Sequence, residues 1–571
     1  MTTSLETFRL IAPELVLVLA AIVAFLAGGF AGLRSGWLVG LLGIGAAMAV
    51  AAVQPAALAA AADASAVIGS GPLRCTAFAV YVRWTVLVLG AILALVQAGD
   101  LFPSAVSRGN GIWRGSTCEE AGTYLLLLAG LSLVGVADDL VLLFAGLELV
   151  SIPTYILLAL KRTDARGQEA SLKYFFLSLV ASALFLYALA CLYGIGGSTS
   201  LAVIGERLRS TDARLAGIAT VLLPVALGMA MAGAAFRLAA VPMHFYAPDV
   251  YEGTSPGNAA LLSTLPKVAG VVVLLRLLGL AAAGPAQAAS VGSGAVAYVS
   301  LFWQLAAVLA AITMTVGNVM ALLQKNLRRL FACSSIAHAG YLLLGIAAAA
   351  AATAAGAQRP AGQGGIAATA DTAWTNGLGG AGATLFYLAT YALATLGIFA
   401  AVTYLGHRWP EWSSGSGPRP PREEITTVDD LDGLSGTNPV AAFAIAVFLL
   451  SLAGIPPLPG FWGKLSLAIS ALEVDWNAPI VYGSRRAAFV ALAVILVLNA
   501  AIAAAYYLRI IAAMYFRSTK RGVQADGGLS AGLAMLACLA LVLMATAQPR
   551  GLFSSAARAG DAVSVRSPVA P

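Results

Sequence analysis

The chain has 571 residues, of which 60% are hydrophobic and only 10% are charged. Soluble domains carry roughly 25% charged residues, so this composition excludes a soluble protein of this size and predicts an all-α polytopic membrane protein. The net charge of +7 is spread over the segments between apolar runs, which indicates membrane topology and not nucleic-acid binding.

A membrane-spanning helix requires about 20 apolar residues, and the sequence contains about fourteen such runs. The first run continues past the length of a signal peptide, so we expect it to be a retained span. In chain order the expected spans are 10–30, 36–62, 78–98, 121–137, 139–160, 170–193, 216–247, 258–283, 297–323, 330–352, 381–405, 439–472, 488–516 and 527–547.

The seventh and twelfth spans are each more than 30 residues long and are interrupted by proline. Pro242 interrupts the seventh, and the pair Pro456 and Pro457 interrupts the twelfth. Proline lacks the backbone donor that continues a helix. Because spans five apart lie in opposite membrane orientations, this pattern predicts two inverted five-helix repeats, each with one discontinuous helix.

The spans divide the chain into four predicted units. The first three helices occupy residues 1–120, and helices 4–8 form a first repeat over 121–283. Helices 9–13 form the second, inverted repeat over 297–516, and residues 517–571 hold the last helix and the C-terminal tail. The second half of the polar segment 407–439 could form a short interfacial helix.

The distribution of lysine and arginine predicts the orientation. Segments that follow odd-numbered spans carry more of these residues than segments that follow even-numbered spans. Positively charged loops usually face the cytoplasm. We therefore expect both termini on the non-cytoplasmic side of the membrane.

Ionisable residues within spans are the candidate functional groups, because charge at membrane depth is costly and rare without a role. Glu148 lies in the middle of the fifth span and is predicted to pair with a buried lysine, although it could instead be a carboxyl kept neutral by a neighbour. Lys173 opens the sixth span four residues after Glu169 and could simply reach the interface. Lys267 follows Pro266 in the eighth span, where burial would favour proton exchange near neutral pH.

Two further candidates lie in the second repeat. Lys464 directly follows the proline and glycine break of the twelfth span, where half-helix ends leave backbone groups unpaired. His338 lies in an apolar run together with Ser334, Ser335 and Tyr341, and it is either a hydrogen-bonded core histidine or a proton relay. One carboxylate, several cations and a histidine in separate spans indicate a chain of proton-exchanging sites.

Three segments resemble the subunit N family of bacterial NADH:quinone oxidoreductase (complex I), whose members are antiporter-like membrane subunits. They are V-P-M-H-F-Y-A-P-D-V-Y-E-G-T-S-P at 241–256, Q-K-N-L-R-R-L-F-A-C-S-S-I-A-H-A-G-Y at 324–341 and L-A-G-I-P-P-L-P-G-F-W-G-K at 452–464. The similarity covers roughly residues 120 to 515. The third motif, taken alone, is shared with sister subunits and with Mrp-type cation/proton antiporters.

The resemblance implies fourteen helices and a place in the membrane arm of a respiratory complex in the bacterial cell membrane, with other membrane-arm subunits as partners. It implies a proton translocase subunit with no cofactor in this chain, since other subunits bind NADH, FMN, iron–sulfur clusters and quinone. It maps the central proton path onto Glu148, Lys173, Arg237, Lys267 and Lys464, to which His338 is added as a relay. Arg237 departs from the family, which has a lysine there.

Two alternatives stay open at this point. An Mrp-type antiporter subunit would transport cations without NADH, and the Y-A-P-D-V-Y-E-G segment argues against it. A non-pumping structural subunit would retain the fold and lose the path, and Arg237 is the feature that favours it, because a guanidinium stays charged and is a poor proton donor.

Overall fold

The computed structural model describes residues 7–31, 36–59, 68–98, 117–161, 164–209, 213–281, 295–354, 378–408, 423–476, 484–518, 523, 525 and 527–564. Within these ranges the chain is almost entirely helical. The helices up to residue 281 are α1 (Ala12–Ala31), α2 (Gly36–Ala59), α3 (Ala77–Gln97), α4 (Thr117–Val136), α5 (Leu140–Lys161), α6 (Ala165–Gly196), α7 (Leu201–Arg209), α8 (Ala213–Leu238), α9 (Ala247–Gly253) and α10 (Pro256–Ala281).

The rest of the chain continues with the same architecture. Its helices are α11 (Ala295–Leu323), α12 (Leu327–Ala354), α13 (Gly379–Leu405), α14 (Leu434–Thr437), α15 (Pro439–Ala453), α16 (Pro459–Leu472), α17 (Arg485–Phe516), α18 (Leu529–Ala547) and α19 (Pro549–Ser564). Among the described residues, thirteen helices are long and apolar enough to cross a membrane, and α15 is a shorter apolar helix. The predicted fold class, an all-α membrane protein with about fourteen spans, is confirmed.

Both long spans are discontinuous, as the prolines predicted. The seventh is divided into α8 and α9 by residues 239–246, and the twelfth into α15 and α16 by residues 454–458. Gly454 ends α15 with a φ of 86°, a left-handed conformation that favours glycine. Pro459 is the first residue of α16, where a missing donor costs nothing. Each break therefore places two helix ends, with their unpaired backbone groups, in the interior of the protein.

Three helices form the centre of the molecule. Helices α10, α12 and α13 are buried around nearly their whole circumference, whereas α1, α2, α17 and α18 keep one face exposed. The exposed faces carry large apolar side chains such as Phe30, Val53 and Phe516. In a membrane protein such a surface contacts lipid or a neighbouring subunit. Ionisable residues on the central helices are thereby separated from the lipid and from neighbouring subunits.

Several small elements were not predicted from the sequence. Strands β1 (Ile68–Ser70) and β2 (Leu73–Cys75) form one antiparallel pair, and β3 (His407–Arg408) with β4 (Glu423–Glu424) forms another. The expected interfacial helix in 407–439 is a 3₁₀ turn, Val428–Leu431, followed by the single-turn helix α14. The tail forms α19, which packs on α13 through stacked Phe386 and Phe553 rings, 4.1 Å apart.

Candidate functional site

Lys267 is fully buried in α10 and is held by backbone carbonyls. Its Nζ donates to the carbonyl oxygen of Leu238 at 2.8 Å and to that of Ser335 at 2.5 Å. Leu238 is the last residue of α8, and the final carbonyls of a helix have no partner within it and carry its negative dipole end. The break in the seventh span thus supplies a binding site for an ammonium group.

Lys464 in α16 is held in the same way in the second repeat. Its Nζ donates to the carbonyl oxygens of Leu452 at 2.8 Å and Ala453 at 3.0 Å, at the end of α15. The ammonium also lies 5.0 Å from the centroid of the Tyr341 ring, within range of a cation–π contact. Each discontinuous helix therefore offers the carbonyl end of its first half to one buried lysine.

His338 lies on α12 and is buried, and tyrosine hydroxyls contact both of its ring nitrogens. The Tyr387 hydroxyl is 2.5 Å from Nδ1, and the Tyr507 hydroxyl is 3.0 Å from Nε2. The Tyr391 ring lies 4.8 Å from the imidazole, between centroids, and 5.7 Å from the Nζ of Lys267. Aromatic hydroxyl groups thus surround the histidine, and no direct contact joins it to either lysine among the described hydrogen bonds.

Glu148 and Arg237 form an ion pair between α5 and α8. Arg237 Nη2 lies 3.6 Å from Glu148 Oε1, and Arg237 Nη1 donates to Ser151 Oγ at 2.7 Å. The Ser182 hydroxyl donates to Glu148 Oε1 at 2.5 Å. The Arg237 side chain is 7% exposed and that of Glu148 is 26% exposed, so the pair lies at the edge of the isolated chain.

Lys173 makes no described contact with Glu148, although the resemblance maps both residues onto one proton path. Its Nζ lies 2.7 Å from Glu169 and 2.9 Å from Asp249, and the side chain is 40% exposed. The reason is helical geometry: Glu169 lies one turn before Lys173 on α6, whereas the contact with Glu148 is made by Ser182, more than two turns further along the same helix.

Asp249 on α9 links Lys173 to the second repeat. Arg329, in the first turn of α12, lies 2.9 Å from Asp249 and 2.8 Å from Glu252. Burial raises the pKa of the Asp249 carboxyl, but hydrogen bonds and positive charge from Lys173 and Arg329 outweigh this effect and hold the pKa below its usual range. The second half of the discontinuous helix is thus fixed by ion pairs from both repeats.

Sequence reasoning named Tyr341 but missed Tyr387, Tyr391 and Tyr507 around His338, because a tyrosine in an apolar run carries no signal that distinguishes a relay from core packing. It also missed a buried ion pair in the N-terminal unit. Arg83 Nη2 lies 2.8 Å from Glu14 Oε1, with the side chains 3% and 6% exposed, and Ser132 donates to the same oxygen at 2.5 Å. The spacing between Glu14 and Arg83 is too long for a local pattern to reveal this contact.

A family profile described as NADH:quinone oxidoreductase/Mrp antiporter, TM, matches residues 137–358 and 365–490. Among curated relatives, NADH-quinone oxidoreductase subunit N of Anaeromyxobacter sp. is 34% identical over 482 residues, which are 83% of this chain and 79% of that protein. The protein of the same name from Rhodospirillum rubrum is 31% identical over 560 residues, 97% of both chains.

Solved structures have the same fold. A chain of respiratory complex I from Thermus thermophilus is 26% identical with a TM-score of 0.66, and the match covers 94% of this chain and 97% of that one. A chain of the Mrp complex from Dietzia sp. DQ12-45-1b has a TM-score of 0.68 over 97% of both chains, at 20% identity. This second likeness shows the fold alone.

Proposed function

Because this chain belongs to the NADH:quinone oxidoreductase/Mrp antiporter family of membrane subunits, we propose that it translocates protons in the membrane arm of a respiratory NADH:quinone oxidoreductase. Its relatives of similar length are subunit N of that enzyme. The enzyme role that we propose is that of a translocase subunit, with the redox chemistry in partner subunits.

The observation that carries this proposal is the shared way in which Lys267 and Lys464 are bound. Each ammonium group is bound by the carbonyl end of a broken helix, one in each repeat, with His338 on the central helix α12. Carbonyl dipoles stabilise the charged lysine, and burial opposes the charge. A small change in either influence can move a proton on or off the lysine, which is what a pumping site requires.

We propose that the Glu148–Arg237 pair controls the first of these lysines. Quinone reduction elsewhere in the complex would change the separation of the pair, and the altered field would change the proton affinity of Lys267. The proton would then pass by way of His338 to Lys464 and leave on the other side. Arg237 stays charged and acts as a moving electrostatic element, not as a donor.

The test is the pair of substitutions Lys464→Ala and Lys464→Arg in the intact complex. We expect both to lower proton translocation and coupled quinone reductase activity together, because arginine retains the charge but does not release its proton. Lys325→Ala, at an exposed lysine, is the matched control and should leave both activities unchanged. An unchanged proton stoichiometry in both Lys464 variants would contradict the proposed path.

An Mrp-type antiporter is the second candidate, because the description of the matching family profile names both kinds of protein. The two are distinguished by purifying the tagged chain in mild detergent from its own membranes. Co-purification of NADH-driven quinone reduction and iron–sulfur EPR signals supports the redox complex, and it also tests the proposal that flavin, clusters and quinone are bound by partners. Cation-dependent transport without these signals supports the antiporter.

We infer from the lysine and arginine bias that both termini face the non-cytoplasmic side of the bacterial cell membrane. A protease site placed at the C-terminus tests this orientation. We expect cleavage in right-side-out vesicles and protection in inverted vesicles, and the reverse result would contradict it.

A further inference from the structure

Arg328 is a buried arginine that the path described above does not use. It lies in the first turn of α12, its exposed fraction is 3%, and Arg329 follows it directly. A positive charge in the first turn of a helix is unfavourable, because the helix dipole already places positive charge there. The buried position of Arg328 therefore requires stabilising contacts with other parts of the fold.

The main contact of Arg328 is with the carbonyl end of α9. Its Nη1 donates to the carbonyl oxygen of Thr254 at 2.6 Å, and Thr254 caps the C-terminus of α9. Carbonyls at the end of a helix lack partners within it and carry its negative dipole end. Glu424 on β4 lies 3.0 Å from the same Nη1 and supplies a counter-charge. Another helix end thus binds a cation, as the ends of α8 and α15 bind lysines.

Further side chains join the start of α12 to α9. Asn326 caps α12, because its Oδ1 accepts from the backbone N–H groups of Arg328 and Arg329 at 3.0 and 3.2 Å. The Nδ2 of Asn326 donates to Glu252 of α9 at 3.2 Å. Arg329 pairs with Glu252 and with Asp249, one turn before it. The first turn of α12 is thus fastened to α9 by several polar contacts.

The same two helices reach the binding site of Lys267. Ser335 follows Arg328 by about two helical turns, so both residues lie on one face of α12. The Ser335 hydroxyl lies 3.4 Å from that of Tyr251 on α9, and the Ser335 carbonyl accepts from Lys267 Nζ. The other carbonyl that binds Lys267 belongs to Leu238, at the end of α8. Lys267 is therefore bound by the first half of the broken helix and by a helix that is fastened to the second half.

We propose that Arg328 is a positioning residue for Lys267: it holds α12 against α9, so that the Ser335 carbonyl stays within hydrogen-bonding distance of the lysine. This inference rests on the proposed function and deepens it, because the carbonyl dipoles are what stabilise the charged lysine there. Arg328 itself does not exchange protons, since a guanidinium stays charged. If α12 moved away from α9, Lys267 would retain the Leu238 carbonyl and lose that of Ser335.

Hydrogen–deuterium exchange of the intact complex tests whether Arg328 fastens the two helices. In the unmodified complex we expect the amides of α9 to exchange as slowly as those in the first turns of α12. In Arg328→Gln, exchange of the α9 amides should be roughly tenfold faster, the factor that corresponds to one lost hydrogen bond to a charged group. Arg328→Lys keeps the charge and a donor, so it should restore much of the protection.

Arg517→Gln is the matched control for the exchange measurement. Arg517 also pairs with a carboxylate, that of Asp429, but its side chain is 49% exposed and it lies outside the contacts between α9 and α12. We expect this variant to leave the exchange of α9 unchanged.

Nitrogen-15 NMR of the intact complex, labelled at lysine, tests the positioning of Lys267 directly, because the chemical shift of each Nζ depends on its hydrogen bonds. The signals of Lys267 and Lys464 are those lost in Lys267→Arg and Lys464→Arg. We expect Arg328→Gln to shift the Lys267 signal and to leave the Lys464 signal in place, since Lys464 is bound by the end of α15. A general loss of structure would move both signals.

An unchanged Lys267 signal in Arg328→Gln overturns the proposal, as do equal shifts of the two lysine signals. If Arg328→Gln does not assemble, the exchange of the unmodified complex decides. Equally slow exchange in α9 and in the first turns of α12 supports the proposal, and much faster exchange in α9 overturns it, because the two helices would then open separately.

Proton translocation separates this inference from the function on which it rests. We expect Arg328→Gln to lower translocation and Arg328→Lys to retain more of it. A shifted Lys267 signal with full translocation would leave the positioning role standing and contradict a role of Lys267 in the proton path. Loss of translocation with an unshifted Lys267 signal would retain the path and overturn the positioning role.

Discussion

At the scale of single residues, the side chain that we expect to depart from the family is Arg237. It lies 3.6 Å from Glu148 and is held by Ser151 and the carbonyl oxygen of Leu147. These contacts need a positive charge and several donors, and a guanidinium supplies both. A lysine could satisfy the charge and one of the bonds, whereas a neutral amide would leave Glu148 without its counter-charge.

We expect Arg237→Lys to retain much of the proton translocation and Arg237→Gln to abolish it, because only the second change removes the charge that faces Glu148. The measurement is the proton-to-electron ratio of the complex in vesicles, with the amount of assembled complex as the control. Normal pumping by the Gln variant would show that Arg237 is a structural anchor.

The sequence allowed the type and position of the buried charged residues to be predicted, but not the residues that each of them contacts. Glu148, Lys267 and Lys464 stand out because charge is rare in apolar runs, and the structure buries both lysines. The partners of Lys173 depend on the rotation of α6 against α9, which no local pattern specifies. Tyr387 and Tyr507 look like any other aromatic core residue until the fold brings them to His338.

At the scale of elements, the break in the twelfth span shapes the site of Lys464. Gly454 has a positive φ, and a Cβ there would lie 3.0 Å from the Cδ atom of Lys464. A side chain at this position would be strained and would displace the lysine. The proline pattern predicted where the break occurs, but the matching carbonyl sites of Lys267 and Lys464 follow from tertiary packing.

We expect Gly454→Ala to destabilise the protein by about 1–3 kcal/mol, the usual cost of a non-glycine residue in a sparsely populated conformation, and to lower proton translocation. Thermal unfolding in detergent and pumping in vesicles are the two measurements. Gly436→Ala, at a helical glycine with open space around it, is the matched control. Equal behaviour of the two variants would show that the break tolerates a Cβ.

At the scale of the whole molecule, the ion pairs of Asp249 connect helices of the two predicted repeats. This carboxylate contacts Lys173 on one side and Arg329 on the other, so it connects the sixth span to the tenth. The assignment of residues 121–283 and 297–516 to two inverted repeats stays a prediction, since it concerns internal symmetry and not these contacts.

The stabilisation from Asp249 should depend on pH in a specific direction. Its pKa in the folded protein is lowered, so its contribution is complete above the unfolded value of about 3.9 and is lost as the pH falls through the lower folded value. We therefore expect Asp249→Asn to reduce the thermal stability near neutral pH and to differ less from the unmodified protein in acid. Asp429→Asn, at an exposed pair with Arg517, is the control. A difference that grows as the pH falls would contradict this account.

The side chain of Glu148, which is about one quarter exposed, bears on whether this subunit can function without a neighbour. A carboxylate in the middle of a span that faced hydrocarbon would be expensive to keep ionised, so the surface beside α5 and α6 calls for protein cover and not lipid. A neighbouring membrane-arm subunit would supply that cover and would also set the field at the first charged pair. The subunit would therefore depend on a neighbour in the plane of the membrane to control the Glu148–Arg237 pair. If it were reconstituted alone, lipid beside Glu148 would disfavour the charged carboxylate.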